Sequence, residues 1–142
     1  MLTTALIPMA GRSPLLVVDD DLDSRLLLEF ALSLKGYSVV SALNGAEALV
    51  LARRFHPEVI LLDLAMPIMD GTAFRAEQLR DPELAKIPVI CVSGQYEAKQ
   101  VADDLKCAGC IARPFDIRDV VAHVARFIDI SASPPAGGEG SM

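Results

Sequence analysis

Short aliphatic runs recur along this chain and stop abruptly at polar residues. Leu15–Val18 ends at Asp19, and residues 59–62 (Val-Ile-Leu-Leu) end at Asp63. Residues 38–41 carry Val39 and Val40, residues 88–93 read Pro-Val-Ile-Cys-Val-Ser, and residues 110–112 run into Arg113-Pro114. Short runs bounded by turn formers fit strands buried on both faces of a sheet. The composition agrees, since the chain is 52% hydrophobic but only 5% aromatic. Its apolar content is Leu, Val, Ile and Ala, the residues that fill a parallel sheet from both sides.

Amphipathic stretches separate the runs. Asp21 or Asp23 caps a predicted helix reaching to about Lys35 and stopped by Gly36, with Leu26, Leu27, Phe30 and Leu34 as its apolar face. Asn44 caps a second helix, Gly45–Phe55, with Leu49, Ala52 and Phe55 inward. Gly71–Arg80 reads as a third, with Phe74 and Leu79 inward, and residues 96–105 as a fourth, more polar one. Residues 116–129 form a fifth on the stripe Ile117, Val120, Val121, Val124 and Ile128. Five alternations of strand and helix predict a doubly wound α/β fold, a parallel sheet with helices on both faces and right-handed crossovers.

The chain has 142 residues, the size of one domain. Residues 1–12 lack periodicity and read as an N-terminal tail. Residues 131–142 are rich in Ser, Pro and Gly and read as a flexible tail or linker stub. A net charge of −6 argues against direct binding to nucleic acid or an anionic membrane. No apolar run approaches the ~18 residues that span a bilayer. The apolar first eleven residues follow no basic residue, a poor signal peptide. Three cysteines are an odd count and too few for a disulfide scaffold. These features together lead to the expectation of a cytoplasmic protein.

In open α/β sheets, ligands bind beyond the carboxyl ends of the strands. The first strand ends in Asp19, Asp20 and Asp21, the third in Asp63, the fourth in Ser93 and the fifth in Arg113. Carboxylates converging on one edge repel each other unless positive charge lies between them. A hard divalent cation with oxygen ligands, Mg²⁺ or Mn²⁺, meets that need at Asp19, Asp20 and Asp63. Asp21 and Asp23 are equally well explained as helix caps.

Four blocks then carry a resemblance. Leu-Leu-Val-Val-Asp-Asp-Asp at 15–21, Leu-Leu-Asp-Leu-Ala-Met-Pro-Ile-Met-Asp-Gly at 61–71, Val-Ser-Gly at 92–94 and Ala-Arg-Pro-Phe at 112–115 resemble, in register, the receiver domain of two-component response regulators. The resemblance covers residues 13–130 and implies the flavodoxin-like (βα)5 fold with strand order 2-1-3-4-5. It implies that Asp63 is the phosphoacceptor. Asp19, Asp20, Asp63 and the Ala65 backbone carbonyl would hold the metal. Ser93 would be the switch hydroxyl, Arg113 the phosphate-contacting base, and Pro114 would follow a cis peptide bond. The implied partners are a sensor histidine kinase or phosphotransfer protein and a downstream protein target or output domain. Homodimerisation through the last two helices is open. The implied role is signalling by phosphorelay, with no enzyme activity beyond self-phosphorylation from small donors and autodephosphorylation.

Two positions depart from the family pattern. Arg113 stands where lysine is usual, and a planar fork replaces a compact point charge. Cys110 stands at the usual aromatic switch position on the fifth strand. Both keep open an alternative, a pseudo-receiver that acts as a phosphorylation-independent interaction module. Ala65 and Gln95 occupy the two variable positions that tune phosphoryl lifetime in the family.

Other motifs carry less. Cys107-Ala-Gly-Cys110 is a lone CxxC at a helix end, best read as packing, and Cys91 reads as a core thiol. His56 and His123 have no partner in the sequence that suggests catalysis. Asp19-x-Asp21 is similar to the nucleophile motif of haloacid dehalogenase-type phosphatases. Those require a small β-branched residue where Asp23 stands.

Overall fold

The computed structural model describes residues 13–64, 66, 68–93, 100 and 103–131, with the backbone alone at residues 93 and 129–131. Strands β1 (Leu15–Val18), β2 (Val39–Ala42), β3 (Ile60–Asp63) and β4 (Val89–Ser93) are joined in turn by helices α1 (Leu22–Leu34), α2 (Gly45–Phe55) and α3 (Gly71–Arg80), and β5 (Gly109–Ala112) is followed by α4 (Ile117–Ser131). All strand pairs are parallel, in the order β2-β1-β3-β4-β5. This is the flavodoxin-like doubly wound fold. The predicted helix at 96–105 lies mostly outside the described residues, and Gln100, Asp103 and Asp104 within it are helical.

The aliphatic runs are buried on both faces because each strand feeds two cores alternately. Leu16, Val18, Ile60, Leu62 and Cys91 point to one face, where Ala48, Leu49 and Ala52 of α2 and Phe74 of α3 cover them. Leu15, Val17, Leu61, Ile90 and Val92 point to the other, against Leu28 and Leu32 of α1 and Val120, Val124 and Ile128 of α4. Each fully buried aliphatic side chain contributes about 1.5–3 kcal/mol. The α4 stripe packs as the sequence indicates.

Two predicted helix faces need correction. Leu26, Leu27, Phe30 and Leu34 of α1 are exposed, and Leu28 and Leu32 face the sheet instead. This helix has apolar residues nearly all round, so periodicity alone does not select the inner row. On α3, Phe74 is buried but Leu79 is 45% exposed. The polar Gln78 takes the inner position, held by bonds to backbone carbonyls of Leu84 and Ile87 at 2.8 and 3.1 Å.

The cysteines also differ from the sequence reading. Cys91 is in the core, yet it is disulfide-bonded to Cys107 and is not a free thiol. Ala108 N donates to Val89 O at 2.8 Å. This bond brings the chain entering β5 beside β4, with the Cys91 and Cys107 Cα atoms 6.4 Å apart. Cys110, the neighbour of Cys91 in the β4–β5 register, remains free.

Candidate functional site

Register sets the site. Val18 pairs with Leu62, Asp63 with Val92, and Ser93 with Ala112, so the carboxyl ends of β1, β3, β4 and β5 finish along one edge. The strand order turns between β1 and β3, the crevice where ligands of such sheets sit. Asp19 and Asp63 lie there almost wholly buried, at 2% and 7% exposure, and Asp20 is exposed beside them. One carboxylate oxygen from each of the three lies within 4.8 Å of the others.

Local chemistry fixes the loops. Asp21, not Asp23, caps α1 by accepting from Ser24 N at 2.9 Å, and that bond holds the Asp21 carboxyl below the usual range. Asp19 Oδ1 accepts from Asp21 N at 2.9 Å, and Arg25 Nη1 donates to the Asp19 carbonyl at 3.0 Å. The loop after Asp63 is gripped by two glycines. A Cβ on Gly71 would lie 2.7 Å from Leu64 Cα, and one on Gly45 would lie 2.7 Å from Met69 O. Only glycine permits these close approaches. Ile68 in this loop has φ 67 and is exposed. Asp70 caps α3, accepting from Ala73 N at 2.9 Å.

Arg113 follows β5, and the Arg113–Pro114 peptide bond is cis. Its Nη2 donates to Asp19 Oδ2 at 3.0 Å and stands 3.6 Å from Asp63 Oδ2. Its Nε is buried without a hydrogen-bond partner. The structure therefore brings together Asp19, Asp20, Asp63 and Arg113. Ser93 ends β4 opposite Ala112, with its backbone alone described. Ala65 and Gln95 lie outside the described residues. Cys110 lies mid-strand in β5, partly buried against the α2–α3 core. His56 caps α2 in a left-handed conformation and pairs with Glu83 at 3.3 Å, and His123 Nδ1 lies 2.9 Å from Asp119 O.

One supporting group is barely signalled by the sequence. Arg75 is buried on α3. Its Nε and Nη2 donate to the Leu105 and Lys106 carbonyls at 2.9 and 2.8 Å, and its Nη1 donates to Gln78 Oε1 at 2.7 Å. Burial pushes its guanidinium below the usual arginine range. This network anchors the segment that leads into β5 and so to Arg113. The only hint in the sequence is two polar residues on the otherwise inward face of a helix.

The fold and the clustered aspartates at its carboxyl edge are those of a signalling module of the receiver type. The response regulator receiver domain family matches residues 15–125, and the chain belongs to it. It is 31% identical over 126 residues to the regulatory protein AtoC of Escherichia coli, covering 87% of this chain and 27% of that protein. It is 27% identical over 119 residues to sporulation initiation phosphotransferase F of Bacillus subtilis, covering 84% of this chain and 96% of that one. The chain thus spans half or less of several of the regulators it matches, but nearly all of the phosphotransferase. The chemotaxis protein CheY4 of Vibrio cholerae superposes with a TM-score of 0.75 at 26% identity, over 82% of this chain and 99% of that one. A receiver domain of a Syntrophus aciditrophicus histidine kinase gives 0.76 at 25%, over 91% and 99%. Receiver domains are signalling modules. Among the described residues, no helix is long and apolar enough to cross a membrane.

Proposed function

We propose that this chain is the phosphoacceptor of a two-component phosphorelay, phosphorylated on Asp63. The observation that carries this reading is Asp63 itself, buried at the carboxyl end of β3 in the crevice, with a guanidinium 3.6 Å away and two further carboxylates beside it. An Asp63 carboxylate oxygen attacks the phosphorus of a phosphohistidine or a small acyl phosphate. The new O–P bond makes an acyl phosphate, and the imidazole or acetate departs with the electron pair of the broken bond. Phosphoryl transfer has a loose transition state with charge on three oxygens, so positioning and positive charge carry the catalysis. Arg113 offers a fork of donors for two of those oxygens, and the Ser93 hydroxyl is a donor for another.

The donor set fits a hard divalent cation. One carboxylate oxygen from each of Asp19, Asp20 and Asp63 within 4.8 Å of the others is a spacing that a single hard cation with oxygen ligands could bridge. Asp19, Asp20, Asp63 and the Ala65 carbonyl would hold Mg²⁺ or Mn²⁺. Bound there, it supplies charge that neutralises the phosphoryl oxygens. Phosphorylation then shifts the population between two conformers of a protein-binding surface. A sensor histidine kinase or phosphotransfer protein supplies the phosphoryl group. A downstream protein or an attached output domain reads the state, in the cytoplasm. The phosphorylation-independent alternative finds no support, since the acidic cluster is intact.

The test is incubation with Mg²⁺ and acetyl phosphate followed by intact mass measurement. The expected result is a gain of one phosphoryl group, absent in Asp63→Asn. An adduct that survives this substitution, or no adduct in the native chain, overturns the assignment.

A further inference from the structure

Three cysteines meet on one face of the sheet. Cys91 is wholly buried on β4 and is bonded to Cys107, which lies 16 residues on, in the segment that enters β5. Cys110 is free and is the register neighbour of Cys91 across the β4–β5 pair. Cys107 and Cys110 both pack against the α2–α3 core that contains Cys91. Neighbouring strands stand about 4.8 Å apart, within the ~4.4–6.8 Å Cα separation that a disulfide spans. Cys91 therefore has two partners in reach, and a bond to either one joins β4 to the chain at β5. Exposure separates the roles. Cys107 and Cys110 are half-buried and open to a small reagent, whereas Cys91 is shielded. The flanks of Cys107 are already tied. Arg75 Nη2 holds the Lys106 carbonyl at 2.8 Å, and Ala108 N donates to Val89 O at 2.8 Å. The disulfide is a third tie at this place, and the one that redox chemistry can make and break.

We propose that the three cysteines form a reversible redox site with Cys91 as the shared partner, closed by a hydroperoxide and opened by a dithiol, and that closing it fixes the entry to β5. This site goes beyond the phosphoacceptor reading and does not depend on it. In the reduced chain the Cys107 thiolate attacks one oxygen of the hydroperoxide. An S–O bond forms, the O–O bond breaks, and the other oxygen leaves as water or an alcohol with the proton given up by Cys107. The Cys91 sulfur then attacks the Cys107 sulfur. The S–S bond forms, the S–O bond breaks, and hydroxide leaves as water with the Cys91 proton. The two thiols lose two electrons and the hydroperoxide gains them. A dithiol reverses the change by exchange. Its first thiolate attacks Cys107 Sγ and expels Cys91, and its second closes the reagent's own disulfide and releases Cys107. Where Cys107 is missing, the same oxidation joins Cys110 to Cys91.

The experiment takes the full chain, reduces it with dithiothreitol, removes the reductant without air and adds an equimolar amount of hydrogen peroxide. Remaining thiols are alkylated, disulfides are located by peptide mass spectrometry, and amide exchange is followed in both states. The expected result is a loss of two hydrogens, a Cys91–Cys107 bond with Cys110 alkylated, and full reversal by dithiothreitol. Exchange at the Ala108 amide is expected to be about tenfold or more slower in the oxidised chain, because the bond removes local openings of this segment. Cys107→Ser is expected to form the Cys91–Cys110 bond under the same treatment. If Cys107→Ser does not fold, Cys107→Ala takes its place. Three alkylated cysteines after peroxide, or disulfides only between chains, overturn the site. A Cys91–Cys107 bond with unchanged exchange at Ala108 overturns its hold on β5. A folded Cys107 variant that forms no disulfide overturns the role of Cys91 as the shared partner.

Discussion

Replacing Gln78 with leucine should be among the most damaging single changes in this chain, although Gln78 touches no site residue except through Arg75. The side chain is fully buried, donates to the Leu84 and Ile87 carbonyls, and accepts from Arg75 Nη1. Leu84 O keeps a second donor, Ile87 N at 3.1 Å, so its loss is small. Ile87 O loses the Gln78 amide, at a cost of about 1 kcal/mol. Arg75 Nη1 loses a charge-assisted bond in a buried setting, at about 2 kcal/mol. Leucine is close to glutamine in volume and fills the space, so the net destabilisation is about 3 kcal/mol. For a domain of this size, that lowers Tm by roughly 10 °C. Thermal unfolding followed by circular dichroism measures it directly. Hydrogen exchange should also quicken at Ala108 and Gly109, because the Arg75 clamp on Leu105 and Lys106 is weakened. A loss below about 1 kcal/mol, or unchanged exchange there, would refute the claim that this network anchors the entry to β5.

Other outcomes follow from the caps and the exposed ion pair. Asn44→Ala removes the acceptor for Glu47 N and should cost about 1 kcal/mol, read as a lowered urea midpoint. Asp116 is held down to a pKa of about 2, chiefly by the Arg118 side chain and then by the Arg118 backbone amide. Its folded value lies below its unfolded one, so its contribution is present above about pH 4 and is lost as pH falls towards 2. Carboxyl NMR titration should place its midpoint near 2 in the native chain and higher in Arg118→Ala, still below the ordinary value because the backbone amide of residue 118 continues to donate to it. Intact mass under non-reducing conditions should show the Cys91–Cys107 bond as a deficit of two hydrogens, with Cys110 alone open to alkylation.

The architecture was legible because burial on both faces leaves a strand no choice but a continuous aliphatic run. Leu15–Val18 and Ile60–Asp63 announce themselves, and a carboxylate that closes such a run can only stand at the sheet edge. Asp19, Asp20 and Asp63 were found on that ground. The inner face of α1 was not legible, since Leu26 and Phe30 compete with Leu28 and Leu32 for the core and only the packing decides. Arg75 and Gln78 were missed because a buried polar group depends on carbonyls brought to it by distant segments. The Cys91–Cys107 pairing depends likewise on the β4–β5 register, which spacing does not reveal. The charge of Arg113 was read at its strand end, but its grip on Asp19 comes only from the geometry.

The most direct test is chemical location of the phosphoryl group. Protein treated with acetyl phosphate and Mg²⁺ is reduced with borohydride, which converts an aspartyl phosphate to homoserine, and the peptides are then sequenced by mass spectrometry. Homoserine at position 63 is the expected result. Homoserine at position 19 or 20, or an unmodified residue 63 in phosphorylated protein, would contradict it.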